Sequence, residues 1–326
     1  MMHEFGVTVR RILIGVFLIA GVAISSGCTF FNIELGPRLS PLRETVISGK
    51  GEGKVLLVDI SGVISDGKKK SLVGSEAGMV ETIREITSRA EKDEDIKAIW
   101  LRINSPGGTV TSSDMIYHEL KTFKEKKKIK IYATVMDMAA SGGYYIALAG
   151  DKIIAHPTSI TGSIGVIAMK VNLQGLLEKV GVGFEVVKSG DKKDFLSPLR
   201  PFTEEERKLF QFAIDSYHQR FVGIVTQNRP EVTIEALKTL ADGRVFNAQQ
   251  ALDAKLIDHI GYLDETEELI KKDLGLSDIK IVTYHRHGDY KSNLYSSLPQ
   301  TPVINLFNID MDIQSSAPYF MYLWMP

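Results

Sequence analysis

The chain has 326 residues, of which 44% are hydrophobic and 24% charged, so it is long enough for a large core and too apolar for wholesale disorder. Its 39 basic and 40 acidic residues give a formal net charge of -1, which offers no bulk electrostatic reason to expect a nucleic-acid partner. The single cysteine excludes an intramolecular disulfide framework and any multi-cysteine zinc or iron–sulfur site.

The amino terminus has the pattern of an export signal. Arg10 and Arg11 precede thirteen uncharged residues, 12–24, and small residues follow them. A basic start, a short apolar run and small residues are typical of a secretory signal peptide. A membrane-spanning helix needs about 20 apolar residues. The run is long enough for an uncleaved anchor only if it is extended to Phe31, and this remains an alternative interpretation. Both interpretations place the bulk of the chain outside the cytoplasm and tether it to a membrane.

Cys28, the chain's only cysteine, directly follows the small residues 25–27. This arrangement resembles a bacterial lipobox, in which the cysteine is lipidated and becomes the first residue of the mature protein. Ser25 stands where leucine is usual, so the alternative is an ordinary small residue within a signal anchor. The sequence therefore predicts membrane attachment with Cys28 as a candidate for lipidation.

Strands and helices are predicted to alternate through the next part of the chain. The predicted strands are 54–60, 96–103, 129–135, 152–156, 164–169 and 183–188. The predicted helices are 76–91, 112–125, 142–149 and 172–180, followed by 203–228, 232–240, 247–253 and 264–274. This alternation indicates an α/β fold with a mostly parallel sheet covered by helices.

The predicted organisation has four parts: a signal peptide or anchor over 1–28, a linker over 29–51, a folded domain over 52–287 and a carboxyl-terminal tail over 288–326. Pro37 and Pro41 are typical of a linker. The tail ends in an aromatic cluster. Two interpretations are open for it, namely packing on the core or a neighbouring subunit, and contact with a membrane surface.

Two glycine-rich loops follow predicted strands, at the edge where α/β sheets bind ligands. In INSPGG (103–108), Gly107 and Gly108 allow a sharp turn and bare amides that can hold an oxyanion, although an ordinary Pro-Gly turn is the alternative. In the second loop Ser141 opens a predicted helix, as in a nucleophile elbow, but Ala139 occupies the first glycine position of GxSxG. The amide of Gly142 can point at the same oxyanion. The alternative role of Ser141 is that of a helix N-cap.

A serine nucleophile needs a base. None of the seven histidines lies in a glycine-rich loop at a strand end, and His156, the nearest in sequence, is more typical of a structural histidine. A third loop, 188–198, supplies lysines, and burial can lower a lysine pKa from about 10.4 toward neutrality. Spacing alone does not choose among Lys188, Lys192 and Lys193, and a solvated charged loop is the alternative.

Four motifs together resemble bacterial signal peptide peptidase A. INSPGG (103–108), ASGGYYIA (140–147), TGSIGV (161–166) and SGDKKDFLSP (189–198) stand in that family's order and spacing. The resemblance covers roughly residues 52–275. INSPGG alone is shared with the catalytic subunit of Clp protease and with the wider crotonase-like fold. The resemblance therefore implies a crotonase-like or Clp-protease-like domain of repeated ββα units.

The resemblance also implies roles for individual residues. Ser141 matches the nucleophile, Lys193 the general base and Ser163 the serine that orients the lysine amine, which leaves Lys192 a bystander. Gly107, Gly108 and Gly142 match the oxyanion hole. The chain carries one copy of the catalytic domain, like the family's short form. That form implies a homo-oligomeric ring, with an octamer as one size, in which neighbouring subunits share the Ser–Lys dyad.

The activity that the resemblance implies is that of an ATP-independent serine endopeptidase. Its expected substrates are cleaved signal-peptide remnants and other unfolded apolar peptides, and no cofactor, metal or nucleic acid is expected. The expected location is the bacterial cell envelope, with the catalytic domain on the extracytoplasmic side of a membrane anchor. Many family members use a transmembrane anchor, so the lipobox-like Cys28 leaves the mode of attachment open.

Three alternatives remain at the level of the sequence. A crotonase-like acyl-CoA enzyme would share the fold, but an export signal argues against it because coenzyme A is cytosolic. A catalytically inactive scaffold or peptide-binding member would need neither Ser141 nor Lys193, and both are present. A Clp-like Ser-His-Asp triad would need a histidine near position 166, where the sequence has none.

Overall fold

The computed structural model describes residues 40–67, 69–71, 74–286, 293–296 and 320–325. The predicted signal peptide and Cys28 lie outside these residues. Apart from Gly74, the described residues belong to one compact unit. Within the described ranges, no helix is both long enough and apolar enough to cross a membrane.

The described strands are numbered in chain order. They are β1 (Arg43–Ser48), β2 (Lys54–Ser61), β3 (Lys69–Ser71), β4 (Gly74–Glu76), β5 (Ile96–Ser105), β6 (Gly107–Thr109), β7 (Lys130–Ala140), β8 (Lys152–Ala155), β9 (Ile160–Gly162), β10 (Val245–Asn247), β11 (His259–Ile260), β12 (Lys280–His285) and β13 (Met321–Leu323). The main sheet has nine strands in the order β1-β12-β2-β5-β7-β8-β11, with β9 beside β7 and β10 beside β9. Its central pairs, β2–β5, β5–β7 and β7–β8, are parallel, whereas β1–β12 and β9–β10 are antiparallel. The predicted mostly parallel sheet is confirmed.

Helices connect and cover these strands. They are α1 (Met79–Glu91), α2 (Val110–Lys127), α3 (Gly142–Ala147), α4 (Gln174–Lys179), α5 (Glu204–Asn228), α6 (Ile234–Leu240), α7 (Ala248–Asp253) and α8 (Leu263–Leu274). All eight predicted helices are therefore present, with ends shifted by a few residues. At the start of α5 the Thr203 hydroxyl and the Glu206 carboxylate bond reciprocally to each other's backbone amides, which explains why the sequence marks this boundary.

Both faces of the central sheet are buried. Leu56 and Val58 of β2 belong to a large hydrophobic cluster that includes residues of α1, α2 and α3. Val55 and Leu57, which alternate with them, belong to a second cluster that includes Leu263 of α8. Because successive strand side chains point to opposite faces, a strand covered on both sides reads as an unbroken apolar run.

Two of the predicted strands are wrong. Residues 164–169 form no strand; the strand lies earlier, at β9, and Ile167 contributes only an isolated bridge to Met321. Residues 183–188 have no regular secondary structure, and Val187 is 98% exposed. An apolar run becomes a strand only where a neighbouring edge satisfies its backbone groups, and no strand of the described chain pairs with this segment.

The folded unit extends beyond the predicted domain boundaries at both ends. Within the predicted linker, β1 pairs antiparallel with β12 at the edge of the main sheet. At the end of the predicted tail, β13 pairs antiparallel with β6, and Tyr322 is fully buried. The described end of the tail therefore packs on the core, as the first interpretation of the sequence expected.

Candidate active site

The two glycine-rich motifs meet at the carboxyl edge of the sheet. β5 ends at Ser105, just before β6, and β7 ends at Ala140, just before Ser141. β5 and β7 are adjacent parallel strands, with Ser105 opposite Ala139 in the register. The INSPGG turn and Ser141 are therefore brought together by two neighbouring strand ends, where ligand sites of α/β folds are found.

Ser141 lies at a strained turn between a strand and a helix. Its φ of 52° and ψ of -113° fall in a region that residues with a side chain seldom occupy. The turn is held by its amide, which donates to the Gly162 carbonyl at 2.7 Å, and by its carbonyl, which accepts from the Tyr145 amide at 2.9 Å.

The Ser141 side chain is buried and does not cap α3. Its Oγ has no hydrogen-bond partner among the described residues. A buried hydroxyl without a partner is costly in a merely structural position. The structure therefore argues against the helix-cap role that the sequence left open for Ser141.

Two backbone amides lie close together next to Ser141. A Cβ built on Gly107 would lie 2.8 Å from the Gly142 nitrogen, and one on Gly142 would lie 3.1 Å from the Gly108 nitrogen. The backbone of Gly108 therefore lies close to that of Gly142, as two donors to one oxygen would need to be. The Gly107 amide already donates to Ser105 Oγ at 3.1 Å, so its predicted part as an oxyanion donor is not supported. Gly107 instead supplies a φ of 103°, which favours glycine.

Ser163 lies close to this turn. β9 pairs with β7 so that Gly162 is opposite Ala140, and Ser163 directly follows Gly162. Ser163 is buried, has a φ of 50° and donates its amide to the Arg244 carbonyl at 2.8 Å. The structure therefore places two serines with positive φ at the ends of two neighbouring strands.

Among the residues that the structure describes, no base is hydrogen-bonded to Ser141. Lys193 is exposed, and since Ser141 Oγ has no partner, no lysine or histidine of the described chain hydrogen-bonds to it. His156 bonds through Nδ1 to the Thr158 hydroxyl at 2.9 Å, and its ring packs edge-on against Tyr262. These contacts fit the structural role that the sequence predicted for His156.

The other two candidate lysines are engaged in ion pairs. Lys188 Nζ lies 2.7 Å from Asp194, and Lys192 is paired with Glu205. The hydrogen bond that Lys192 donates to the Glu205 carboxylate raises the pKa of Lys192, which makes it a poorer base near neutral pH. These pairs argue against Lys188 and Lys192 as the general base.

Arg200 ties the segment that carries Lys193 to the start of α5. Its Nη2 lies 2.8 Å from Asp194 and 2.6 Å from the buried carboxylate of Glu206. The hydrogen bond from Arg200 lowers the pKa of Glu206 to about 2. The same guanidinium, together with Lys188, holds the pKa of Asp194 well below its usual range. Asp194, the residue that follows Lys193 in the chain, is therefore held in place by ion pairs.

The chain's own carboxyl-terminal strand lies beside the two amides, which the sequence analysis did not anticipate. β13 pairs with β6 so that Tyr322 is opposite Gly108, and the Trp324 amide donates to the Pro106 carbonyl at 2.9 Å. Along the other edge of β13, Met321 and Ile167 exchange two backbone hydrogen bonds of 2.9 Å. The signal that could have revealed this strand is the alternation of aromatic residues at 320, 322 and 324.

Comparison with known proteins identifies the family. The family models described as Peptidase family S49 and Clp protease match residues 123–277 and 75–161, respectively. A putative signal peptide peptidase SppA of Enterococcus faecium is 37% identical over 241 residues, which are 74% of this chain and 70% of that protein. A putative protease slr0021 of Synechocystis sp. is 39% identical over 228 residues, 70% of this chain and 77% of that protein.

The sheet and the Clp protease match define the class of the protein, an α/β domain of the Clp-protease type. The chain belongs to the signal peptide peptidase SppA family of serine peptidases, family S49. Both the fold and the family predicted from the motifs are confirmed. Among solved structures, a point mutant of ClpP1 from Listeria monocytogenes is similar with 17% identity and a TM-score of 0.42, over 64% of this chain and 92% of that one.

Proposed function

We propose that this serine peptidase is an ATP-independent endopeptidase with Ser141 as its nucleophile. The observation that carries the proposal is the buried Ser141 hydroxyl, which lacks a partner among the described residues, at a strained turn beside the amides of Gly108 and Gly142. A strained backbone at a residue whose polar side-chain atom lacks a hydrogen-bond partner is typical of a functional site.

Lys193 is the proposed general base. In its neutral form its amine takes the proton from Ser141 Oγ, which attacks the scissile carbonyl and forms a tetrahedral intermediate. The amides of Gly108 and Gly142 hold the oxyanion, each contributing about 3 kcal/mol in comparable sites. The lysine ammonium then protonates the leaving amine, and water releases the acyl group. Ser163, buried one residue beyond the carbonyl that holds Ser141, is proposed to orient the lysine amine.

The proposed base comes from a neighbouring subunit. Lys193 is exposed on a segment that leaves many apolar side chains in solvent, and monomers rarely expose contiguous apolar surface of this kind. A second copy that covers this segment would bury it and would carry Lys193 to the Ser141 of the adjoining subunit. In a closed ring of subunits, the apolar segment of every copy is covered and every Ser141 receives a lysine in the same way.

The proposed substrates are extended, unfolded apolar peptides, including signal-peptide remnants. This proposal is supported by the family and by the position of β13, an extended segment whose backbone pairs with β6 on one edge and with Ile167 on the other. Attachment to a membrane at the extracytoplasmic side, through an anchor or through lipidated Cys28, is proposed from the sequence alone.

The nucleophile is tested by hydrolysis of a fluorogenic apolar peptide without ATP. We expect Ser141→Ala to lower kcat by at least about a thousandfold, because no other group can form the acyl-enzyme. Ser159→Ala is the matched control, since the Ser159 hydroxyl is also buried and without a partner among the described residues. Substantial activity in Ser141→Ala would contradict the proposal.

The sharing of the dyad is tested by mixing two inactive variants, Ser141→Ala and Lys193→Ala, and refolding them together. Random assembly in a ring pairs an intact serine with an intact lysine at about a quarter of the sites, so about a quarter of the wild-type activity should return. A dyad contained within one subunit would return none. Lys192→Ala is the control and should be active by itself.

A further inference from the structure

The two strands that lead to the glycine-rich motifs fall out of step just before the candidate site. β5 advances two residues, from Ile103 to Ser105. Over the same stretch its partner β7 advances four, from Val135 to Ala139. β7 therefore carries a bulge of two extra residues opposite Asn104. Bulges change the direction of the residues that follow them, and they are frequent next to active sites.

The bulge lies where β7 changes its neighbour on the other edge. β7 pairs with β8 as far as Val135, which is opposite Ala155. From Met138, which is opposite Ile160, β7 pairs with β9 instead. Residues 136–137 have no partner in the registers that join β7 to β5, β8 and β9. A strand without ladder bonds needs another contact to fix its course at that point.

The Asn104 side chain supplies such a contact. Its Nδ2 donates to Asp137 Oδ2 at 2.8 Å, and its Oδ1 accepts from the Met138 amide at 3.3 Å. A carboxylate only accepts and a backbone amide only donates, so these two partners admit a single orientation of the Asn104 amide. One side chain therefore connects β5 to the bulged part of β7.

The INSPGG turn is also held from the β2 side. Gly62, which follows β2, donates its amide to the Asn104 carbonyl at 3.0 Å. The Ser105 hydroxyl donates to the Gly62 carbonyl at 2.7 Å. The turn that carries the Gly108 amide is thus fixed between the end of β2 and the contact of Asn104 with β7.

The other end of the Asn104 contact is close to the proposed nucleophile. Met138 lies three residues before Ser141 in the chain. Between them, the Ala139 carbonyl accepts from Thr161 Oγ1 of β9 at 2.7 Å, which holds this stretch from one edge. Asn104 holds the start of the same stretch from the other edge. The placement matters because a shift of about 1 Å at a reacting group can cost about a hundredfold in rate.

We propose that Asn104 and Asp137 are positioning residues, which set the placement of the Gly108 amide relative to Ser141. This inference rests on the proposed peptidase function of Ser141. The Asn104 amide holds the β7 bulge in its observed form, and the Asp137 carboxylate fixes the donor end of that amide. Because neither side chain has a part in holding the peptide, their effect is on the chemical step rather than on substrate binding.

The first test removes the contact in the full chain. We expect Asn104→Ala to lower kcat for the fluorogenic peptide by about tenfold to a hundredfold, while KM changes by less than about twofold. Asn228→Ala is the matched control. Asn228, at the end of α5, donates to the Tyr117 hydroxyl and to the Ile224 carbonyl, both at 2.8 Å, so its loss should lower stability in urea and leave kcat as it is. An unchanged kcat in Asn104→Ala would overturn the proposal.

The second test exchanges the two partners. Asn104→Asp alone places two carboxylates against each other, and we expect a larger loss of kcat than in Asn104→Ala. Adding Asp137→Asn restores the net charge and one donor: the carboxylate at position 104 can accept from the Met138 amide and from the amide at position 137. The double variant should recover kcat to within about threefold of the wild type. A double variant that assembles but stays as slow as Asn104→Asp would show that the two side chains do not act as a pair.

Ser141→Ala, assayed in parallel, separates this inference from the proposed function. If Ser141→Ala is active, the proposed function fails and the positioning role fails with it. If Ser141→Ala is inactive and Asn104→Ala keeps the wild-type kcat, only the positioning role fails. A loss confined to KM in Asp137→Asn would also overturn it, because that carboxylate would then be binding the peptide.

Light scattering shows whether each variant assembles. Should Asn104→Ala fail to do so, Asp137→Asn takes its place, because it keeps the side-chain volume and retains a neutral acceptor for the Asn104 amide. We expect a severalfold loss of kcat in Asp137→Asn, since a hydrogen bond to a charged group is stronger than one to a neutral group. An unchanged kcat in this variant would overturn the role of Asp137.

Discussion

Ser141 and Ser163 share an unusual backbone conformation, with φ near +50°, at the ends of adjacent strands. Such a conformation costs of order 1–3 kcal/mol and persists only where the surroundings enforce it. At Ser141 the bonds to the Gly162 carbonyl and the Tyr145 amide do so. The strain is compensated by the surrounding hydrogen bonds, and the Ser141 hydroxyl at this turn is buried and does not cap the helix.

The amide of Gly108 is tested by Gly108→Ala. A Cβ there would lie 1.9 Å from the Ile64 carbonyl oxygen, so the Ile64–Gly108 bridge must open and the amide must move. We expect kcat to fall about a hundredfold, the usual effect of losing one oxyanion donor. Gly223→Ala is the control: Gly223 is exposed within α5 with nothing within 4 Å of its Cβ, so it should gain about 0.5–1 kcal/mol in unfolding free energy. An unchanged kcat in Gly108→Ala would exclude this amide from the oxyanion hole.

At the scale of elements, the segment carrying Lys193 owes its position to α5. Arg200 bridges Asp194, next to Lys193, and Glu206, in the first turn of the helix. Because Glu206 is also the residue that completes the capping box, one buried carboxylate both begins the helix and anchors the segment. Glu206 is thus a local signal for the start of a helix and also makes a tertiary contact. The spacing of residues in the sequence does not reveal that second role.

The anchor is tested by Glu206→Gln. We expect it to lower the free energy of unfolding by about 2 kcal/mol at pH 7, because charge-assisted hydrogen bonds are lost. Glu204→Gln, an exposed change in the same helical turn, should cost only a few tenths of a kcal/mol. Urea unfolding measures both variants.

The pH dependence of this effect has a definite sign. The pKa of Glu206 is lowered to about 2 in the folded state, from an ordinary value near 4.5. Its contribution is therefore complete above about pH 4.5 and is lost as the pH falls toward 2. Wild type and Glu206→Gln should converge in stability as the pH is lowered through this window, and a constant difference would show that Arg200 is not the cause.

At the scale of the whole molecule, the described chain leaves a broad apolar surface in solvent. Val171, Val180, Phe184, Val187 and Phe212 are all exposed. Residues 183–188 have the composition of a strand, yet no strand of the described chain pairs with them. A second subunit is the proposed partner for this surface, and assembly would then be a condition for catalysis.

This condition is tested by Val187→Asp. We expect the charge to lower the assembled mass in light scattering and to reduce peptide hydrolysis in proportion, because subunits without a neighbour lack a base at Ser141. Ile234→Asp is the control, since Ile234 is 63% exposed but lies outside the run of exposed apolar residues between Met169 and Val187. A monomeric Val187→Asp protein with full activity would show that the base comes from the same subunit.

The sequence by itself determined the helices, the central strands and the order of the four family motifs. Some sequence patterns specify structure through neighbouring residues alone, so they can be interpreted without the rest of the fold. Examples are the apolar run 54–60, the helix cap Thr203 and the glycine pair 107–108. It also marked Ser141 as a candidate nucleophile. The sequence could not show that the apolar runs 164–169 and 183–188, unlike the others, form no strand. Whether a run becomes a strand depends on a free sheet edge elsewhere in the fold.

Only the tertiary structure decided which distant residues meet. It joined β1 to β12 outside the predicted domain, and it placed Tyr322 beside Gly108, more than two hundred residues earlier in the chain. It also left Lys193 exposed and without a bond to Ser141 in the same subunit. The physical reason is that such contacts depend on which surfaces and backbone edges stay unsatisfied after local structure has formed, and no local pattern encodes that.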